Sequence, residues 1–274
     1  MAKLLALIPS AYKLDKVASV LPMDGTGDFS LTRSTTATRV NSSGVIEEMA
    51  IDMPRIDHFA GGCPVLLLEV QGTNLMTTSE PTSTGAYKTG VVFQQTNIYS
   101  WNGIYYGDNS ARRIAYFSSS TTVGVDVTFS VFIKMTNGNA PSVGTSSTDD
   151  FKMYISSATA LGLQIIDFGG GVYRCSITKS ATSTNSNIAI EKVTGNSANT
   201  FEVSGFQMEH KSDTSSYIPT NGTTVTRAAD LGQVTTPTGV TSITETVSGV
   251  DTVITTIPTT YSLPIGRVET ILME

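Results

Sequence analysis

Hydrophobic and polar residues alternate with a period of two along much of the chain. In the clearest example, residues 127–135, one face would carry Val127, Phe129, Val131, Ile133 and Met135, and the other Thr128, Ser130, Phe132 and Lys134. Successive side chains of a β-strand point to opposite faces, so this pattern predicts a half-buried antiparallel strand.

Short segments of this kind follow one another, separated by polar turns and without a credible long helix between them. The predicted strands are 90–95, 98–101, 113–118, 127–135, 151–156, 161–168, 172–179, 188–193 and 201–209. Gly169, Gly170 and Gly171 are predicted to join two of them as a hairpin. The pattern is typical of an all-β protein, an antiparallel two-sheet β-sandwich of the jelly-roll kind.

The N-terminal part of the chain departs from this pattern. Residues 29–60 are rich in Thr, Ser and Arg, and the apolar run Val65-Leu66-Leu67-Leu68 follows them. We interpret the first segment as an extended arm laid over the body of the protein, and the run as a buried strand of that body. A guanidinium binds a carboxylate through two donors, so an arginine on such an arm should pair with an acidic residue. The expected pairs join Arg33, Arg39 and Arg55 to Glu47, Glu69 or Asp57.

Changes in composition near both ends predict three parts: an N-terminal arm (1–60), a sandwich (61–230), and a C-terminal linker with a β-hairpin (231–274). Residues 2–19 have the chain's most helix-compatible composition, although Pro9 would keep any helix short. This opening segment either packs on its own domain or attaches the protein to an assembly, and the second role is what the family resemblance given below implies. An isolated hairpin is marginal in water, so we expect the C-terminal one to make an assembly contact through its exposed edge.

Charge and targeting signals restrict the partners and the compartment. Of 274 residues 15% are charged, the formal net charge is −6, and the 17 lysines and arginines are scattered, so no nucleic-acid partner is expected. The N-terminal apolar run ends at Pro9, too early for an export signal, and no segment is long enough to span a membrane. We therefore expect synthesis in a reducing cytoplasm without membrane insertion. Cys63 and Cys175 are most simply free thiols, and a bridge between them is also compatible with the sequence.

Motifs for catalysis and metal binding do not stand out. His58 and His210 share no metal-ligand spacing with each other or with the cysteines, and a G-x-S-x-G elbow is absent. The adjacent Asp149 and Asp150 would point to opposite faces of a strand, which does not suit the paired carboxylates of a glycan hydrolase. They fit a calcium-binding turn or simple solvation. We expect a protein that is not an enzyme and that uses no cofactor and no metal.

One polar and aromatic segment, residues 97–109, is a candidate for glycan binding. Its residues of interest are Tyr99, Trp101, Asn102, Tyr105, Tyr106 and Asp108. Sugars stack their apolar C–H faces on aromatic rings, while amides and carboxylates bind their hydroxyls. The alternative is that Trp101 packs in the core at the end of a strand, as large aromatic residues usually do.

Longer motifs occur in two blocks of the chain. Residues 6–75 contain T-R-x-x-T-A-T-R-V-N-x-x-G-x-I-E, P-R-I-D and G-C-P-x-L-L-L-E-x-Q-x-T-N-L, and residues 172–230 contain V-Y-R-C-S-I-T, F-Q-M-E, S-Y-I-P-T and T-R-A-A-D. Together they resemble a family of bacteriophage virion proteins, mostly tail-fibre or appendage proteins. The chain departs from the family at Ser34 and Thr35, where Ala-Ser is usual, and at Val70 and Gly72, where Pro and Arg are usual.

The resemblance implies a lectin-like sandwich, similar to a carbohydrate-binding module, and places the protein in the virion. It implies structural roles for Arg33, Arg39, Arg55, Asp57, Glu69, Arg174 and Arg227. It also implies contacts with other virion proteins and a homo-oligomer, commonly a trimer. The expected function is therefore a structural component of a phage particle, a tail fibre or appendage that contacts host cell-surface glycan. A purely architectural collar, head or tail decoration protein is the alternative, and a glycan depolymerase is a third class that the motif content disfavours.

Overall fold

The computed structural model describes residues 5–13, 16–20, 29–59, 63–80, 91–92, 104–106, 113–146, 148–156, 158–159, 162–192 and 200–274. Within these residues the chain forms β-strands joined by turns and contains no α-helix. The strands belong to two compact units. The first consists of Met1–Gly72 and Arg227–Glu274, and the second of Thr73–Thr226. The all-β, antiparallel class predicted from sequence is confirmed.

Both ends of the chain contribute strands to the first unit. Its strands are β1 (Leu5–Lys13), β2 (Lys16–Val20), β3 (Phe29–Thr32), β4 (Ala37–Val40), β5 (Ile46–Met49), β6 (Ile56–Asp57) and β7 (Val65–Leu68), followed later in the chain by β20 (Leu231–Thr235), β21 (Ile243–Val247), β22 (Val250–Ile254), β23 (Thr260–Ser262) and β24 (Gly266–Met273). Two further strands, β8 (Gly72–Asn74) and β19 (Val225–Arg227), pair with each other where the chain passes between the units.

Strand β24 organises the first unit. It pairs with β21 on one side, and with β1 and β7 on the other, in a seven-stranded sheet that β2, β6 and β22 complete. A three-stranded sheet has the order β23-β20-β3, and β4 pairs with β5 as a hairpin. Both sheets contribute side chains to one hydrophobic core, which includes Leu5, Leu7, Phe29, Leu31, Leu66, Leu68, Val234, Tyr261, Val268 and Ile271.

The predicted division into an arm, a sandwich and a C-terminal hairpin differs from the observed units. Val65–Leu68 is a buried strand as predicted, but it pairs with β24 and therefore belongs to the first unit rather than to the sandwich. The C-terminal residues form five strands of this unit, of which the predicted hairpin is β21–β22. The helix-compatible composition near the N-terminus does not produce a helix in the described residues there, since Leu5 and Leu7 lie in a strand opposite Met273 and Ile271.

The second unit contains the remaining strands. They are β9 (Val91–Val92), β10 (Ile104–Tyr106), β11 (Arg113–Ser120), β12 (Asp126–Met135), β13 (Phe151–Ile155), β14 (Ala158–Thr159), β15 (Gln164–Asp167), β16 (Val172–Ser180), β17 (Asn185–Lys192) and β18 (Phe201–Glu209). Most of the strands predicted from periodicity are present, with shifted ends. The hairpin at Gly169–Gly171 joins β15 to β16, and its three glycines have positive φ angles of 81°, 61° and 77°. The predicted strand 98–101 lies outside the described residues.

These strands form two sheets that enclose a single core. The six-stranded sheet has the order β15-β16-β12-β18-β10-β9, and the four-stranded sheet has the order β11-β17-β13-β14. Inward-facing residues of both sheets meet in the core, among them Val127, Phe129, Val131, Ile133, Phe151, Met153, Cys175, Ile188, Ile190, Phe206 and Met208. Two sheets with a shared apolar interior are a β-sandwich.

The inward side of β12 is as predicted, whereas its outward side is not exposed. Thr128, Ser130 and Phe132 are all buried, although the alternation assigned them to a polar outer face. The reason is a later segment, residues 210–220, which crosses the outside of this strand, contacts Thr128 and Phe132, and is linked to Ser130 through Arg174. Periodicity within one strand contains no information about a segment that covers it from elsewhere in the chain.

Candidate functional site

Three motif arginines of the first unit converge on two carboxylates. We call Arg33, Arg55, Arg227, Glu69 and Asp230 the arginine network. Asp230 Oδ1 lies 2.9 Å from Arg33 Nη1, and Glu69 Oε2 lies 2.7 Å from Arg55 Nη1 and 3.4 Å from Arg227 Nη2. Asp230 Oδ2 is paired with Arg55 Nη2 and lies 3.7 Å from Arg227 Nη1. The three guanidinium groups and Asp230 are fully buried.

Each arginine of the network also donates to backbone carbonyls. Arg33 donates to the carbonyl oxygens of Thr35 and Ala50 at 2.9 and 2.6 Å, and Arg227 donates to that of Val70 at 2.7 Å. Arg55 donates to the carbonyl of Thr38 at 3.1 Å. The arginines therefore tie the irregular backbone between the strands to Asp230 and Glu69, and the network holds the two sequence-distant halves of the unit together.

Burial and ion pairing have opposite effects on the pKa values of the arginines in the network. Burial disfavours charge and is the largest influence on Arg33, whose pKa is lowered in spite of its partner Asp230. Burial also acts on Arg55, but the two carboxylates Glu69 and Asp230 outweigh it and raise the pKa of that guanidinium. An arginine side chain is protonated far above neutral pH, so Arg33 and Arg55 stay charged there.

Two further ion pairs support the same unit. Arg39 pairs with Glu47 across the β4–β5 hairpin, with Nε 2.7 Å from Oε1, and it also donates to the carbonyl of Ile56 at 2.8 Å. Asp57 accepts from the backbone N–H of Val40 at 2.7 Å, and its other oxygen is paired with Arg267. The expected pairs of Arg39 with Glu47 and of Arg55 with Glu69 are therefore present, whereas Asp57 pairs with Arg267 instead of an arm arginine.

Arg174 belongs to the second unit and has a different environment. Its Nη1 donates to the carbonyl of Ser215 at 2.6 Å, its Nη2 donates to Ser130 Oγ at 3.0 Å, and its guanidinium lies 5.1 Å from the ring centre of Phe132. It thus fastens residues 210–220 to the outer face of the six-stranded sheet.

A buried polar layer completes the contact between that segment and the sheet. Glu209 accepts from Ser215 Oγ at 2.6 Å and from Gln207 Nε2 at 2.7 Å, and Gln207 Oε1 accepts from the N–H of Ile218 at 2.7 Å. Tyr217 follows in the same segment, and its hydroxyl donates to Glu80 Oε1 at 2.5 Å and lies 2.7 Å from Ser79 Oγ. Residues 210–220 therefore cover the outer face of the sheet at its central strands β12, β16 and β18, among the residues that the structure describes.

The candidate glycan-binding segment falls largely outside the described residues. Tyr99, Trp101, Asn102 and Asp108 all lie there. The backbone of Tyr105 and Tyr106 is described and forms part of β10, opposite Glu202 and Phe201 of β18. The glycan-binding role of this cluster and the core-packing alternative for Trp101 both remain predictions.

The Asp149–Asp150 turn, considered for calcium, directs its carboxylates to its own backbone and side chains. Asp149 Oδ2 accepts from the N–H of Ser146 at 2.7 Å, Asp149 Oδ1 accepts from Ser142 Oγ at 2.7 Å, and Asp150 Oδ2 accepts from the N–H of Ser142 at 2.9 Å. Among the described residues no group of three or more His, Cys, Asp or Glu side chains is arranged to hold a metal ion. The turn is explained by these hydrogen bonds.

Sequence reasoning missed the residue on which the network depends. Asp230 contacts three arginines, yet the sequence offered Glu47, Glu69 and Asp57 as their partners. A usable signal existed in T-R-A-A-D, which places Asp230 three positions after Arg227 inside a motif block. Arg267, the partner of Asp57, lies in no motif, so no signal in the sequence marks it.

Comparisons with known proteins add no further constraint. The described residues contain no helix that is both long and apolar enough to cross a membrane. No protein-family model and no curated protein matches this chain.

Proposed function

We propose that this chain is a structural component of a bacteriophage particle, a tail-fibre or appendage protein whose sandwich contacts host glycan. The observation that carries the proposal is the arginine network, in which Arg33, Arg55, Glu69 and Arg227 come from four separate motifs and meet around Asp230. Short motifs that match by chance would have no reason to converge. Their shared structural task supports the view that the resemblance reflects a common framework rather than a local coincidence.

The order of strands in the second unit supports the lectin-like, jelly-roll part of the proposal. In the first sheet β10, β18, β12 and β16 are neighbours, and in the second β11, β17, β13 and β14 are neighbours. The chain therefore moves repeatedly from one sheet to the other, as two interlocked Greek keys require. On this interpretation β9 and β15 extend the two edges of the six-stranded sheet.

Because residues 210–220 cover part of one sheet face, fewer surfaces of the sandwich are available for sugar binding. The segment 210–220 covers the central strands β12, β16 and β18 on the outside of the six-stranded sheet, and Phe132, Gln207 and Glu209 beneath it are buried. The proposed glycan contact is therefore assigned to the aromatic and amide cluster at residues 97–109, where Trp101 would supply the stacking surface.

The alternative, a purely architectural collar, head or tail decoration protein, is favoured by one observation. The edge strand β22 exposes Val250 and Val253, at 64% and 62% of their surface, without a described neighbour on its outer side. An exposed strand edge is suited to protein partners rather than to sugars. Under this alternative the sandwich would bind other virion proteins only.

The two functions are separated by binding of the intact chain to an array of host-derived polysaccharides. A fragment cut at residues 61–230 is unsuitable because it would divide the first unit. Trp101 is the only tryptophan, so a sugar bound beside it should alter the protein's tryptophan emission. We expect Trp101→Ala to abolish sugar binding and Asp213→Asn, an exposed control outside the cluster, to leave it unchanged.

Two outcomes would count against the proposal. Emission typical of a buried indole that no bound sugar alters would favour the core-packing alternative for Trp101. Absence of binding at millimolar sugar would favour the architectural protein, and release of reducing ends from host capsule would revive the depolymerase. Labelling of the protein in intact particles tests the virion assignment independently of any sugar.

A further inference from the structure

Strand β22 is an unprotected edge of the seven-stranded sheet. Among the residues that the structure describes it pairs with β21 only, and four of its five residues are exposed. Val250 and Val253 are separated by an odd number of positions, so they lie on opposite faces of the strand, and both faces are exposed at these two positions. Proteins usually protect such edges with lysine, proline or a bulge, and β22 has none of these in its five residues VDTVI.

The single charged side chain of this edge is already engaged. Asp251 Oδ1 accepts a hydrogen bond from Thr246 Oγ1 at 2.8 Å, on the neighbouring strand of the same hairpin. Its charge therefore lies toward β21 rather than standing outward as a guard against pairing. The edge that remains consists of backbone donors and acceptors flanked by valine and threonine.

The hairpin is also held rigidly, so its edge is preorganised for pairing. Ser248 and Gly249 form the two-residue turn with φ angles of 51° and 78°, as a type I′ turn requires. The turn is fixed to β24, since the N–H of Ser248 donates to the carbonyl of Arg267 at 2.9 Å and the N–H of Gly249 donates to Glu269 Oε1 at 2.7 Å. Pairing with a partner strand would therefore lose little conformational entropy in ordering this edge.

Register determines which backbone groups face outward. Val250 closes the two-residue hairpin opposite Val247, so its N–H and C=O point toward β21. The alternation of an antiparallel ladder then directs the backbone groups of Asp251 and Val253 outward. These two residues are placed symmetrically about Thr252.

From this symmetry we propose that β22 pairs with β22 of a second copy of this chain, antiparallel, about a two-fold axis at Thr252. In this register Asp251 of each copy lies opposite Val253 of the other, and both outward pairs are hydrogen-bonded. Centring the axis on Asp251 would place two like charges directly opposite, which is destabilising. Centring it on Val253 would leave Asp251 opposite a residue beyond the strand and form fewer hydrogen bonds.

The contact is small and is expected to act where many copies are held close together. Stable dimers bury more than about 1,000 Å², and one five-residue strand provides less, so the isolated protein should pair only at high concentration. In an assembly the local concentration of copies is high, and a weak contact is then sufficient. The inference needs no sugar binding, and it differs from the three-fold association that the family resemblance implies because it joins chains in pairs.

The two-fold axis makes a sharp prediction for disulfide cross-linking. Thr252 would face its own copy as a non-hydrogen-bonded pair with Cα atoms about 4.5 Å apart, which is within the range of a disulfide. In a Cys63→Ser background, which removes the exposed native thiol, Thr252→Cys should form a covalent dimer under mild oxidation. Val250→Cys is the matched control: it lies on the same face and is 64% exposed, but its counterpart in the second copy would be about 14 Å away.

A second variant separates pairing from folding. Val253→Pro removes an N–H that points outward, and proline is tolerated at such a position of an edge strand. The melting temperature should therefore stay nearly unchanged. Cross-linking through Cys at 252 should be lost, because the pairing needs that N–H. For the native chain, we expect the average mass in solution to rise from that of a monomer toward that of a dimer as concentration increases. For Val253→Pro, it should stay constant. Equal cross-linking of the 250 and 252 variants, or none at 252, would overturn the proposal. Neither result bears on glycan binding or on location in the virion.

Discussion

Asp230 Oδ1 accepts a hydrogen bond from Arg33 Nη1 at 2.9 Å, although 197 positions separate the two residues. The whole of the second unit lies between them in the chain. This contact explains how two distant segments form one unit, because a buried guanidinium without its carboxylate is far more costly than the pair.

Replacing Asp230 by asparagine should therefore destabilise the first unit strongly. The substitution keeps the shape of the side chain but leaves Arg33 and Arg55 without the buried carboxylate that they share, and such losses cost about 3–5 kcal/mol. Urea unfolding at neutral pH measures the change. The control is Asp213→Asn, an exposed carboxylate, and a loss for Asp230→Asn no larger than that of the control would show that the network does not stabilise the fold.

Tyr217→Phe should weaken the attachment of residues 210–220 to the sandwich. The hydroxyl contacts Glu80 and Ser79, and its removal takes one hydrogen-bond partner from each of them, at a cost of about 1–3 kcal/mol. Hydrogen exchange should show faster exchange at Ile218, whose N–H is bonded to Gln207. Tyr173→Phe, at a half-buried tyrosine of the same unit, is the comparison, and equal effects in both variants would refute the special role of Tyr217.

The two cysteines should differ sharply in reactivity. Cys63 is exposed and Cys175 is buried in the core of the sandwich, where burial raises the pKa of the thiol and removes the reactive thiolate. A thiol reagent such as DTNB should therefore modify one cysteine per native chain and the second only after unfolding. Modification of both in the native state, or protection of Cys63, would be inconsistent with this arrangement.

The pair between Arg39 and Glu47 should give a modest dependence of stability on pH. Burial raises the pKa of Glu47, but hydrogen bonds from Arg39 and Asn41 outweigh it, so the net pKa is lowered. A carboxyl with a lowered folded pKa binds protons less readily than in the unfolded chain. Its stabilisation is complete above the unfolded value of about 4.3 and disappears as pH falls through the folded pKa.

The expected size is below about 1 kcal/mol, since the pair is partly exposed to solvent. Unfolding of the native chain and of Glu47→Gln should differ at pH 6 and converge as the pH falls below 4. A difference that grows on acidification would contradict the sign of the shift.

The second unit should fold without the first. Among the described residues, its core consists of side chains from Thr73–Thr226, including Phe129, Ile133 and Ile190. A 73–226 fragment should therefore unfold cooperatively and give a β-type circular dichroism spectrum.

Truncation after Asp230 should destabilise the first unit, because it removes Val234, Val268 and Ile271 from that unit's core. A fragment that stays unfolded, or a truncated chain of unchanged stability, would contradict this division.

Periodicity in the sequence predicted the positions of most strands of the second unit. Alternation of apolar and polar residues is a local property of each strand, and it located β12 and β16 because one face of each is buried against the opposite sheet. It also located β21 and β22, for the hairpin is fixed by a short turn. These elements depend on neighbours in the sequence, which the sequence itself displays.

The motif arginines were likewise recognisable as structural, since an extended polar segment needs carboxylate partners. Which carboxylates they bind was not recognisable. Glu47 lies across a hairpin from Arg39 and could be predicted, whereas Asp230 reaches Arg33 only after the chain has returned from the second unit. Partner choice over such distances depends on how the strands are ordered.

The sequence by itself determined the β class, the positions of many strands and the need of buried arginines for acidic partners. Only the tertiary structure decided that Leu5 and Leu7 form a strand rather than a helix, because Ile271 and Met273 supply the pairing that local composition cannot. It also decided that Phe132 is covered and that both chain ends build one unit. The alternation of residues along a strand indicates which of its faces is buried. Which other strand or segment covers that face depends on contacts between residues far apart in the chain.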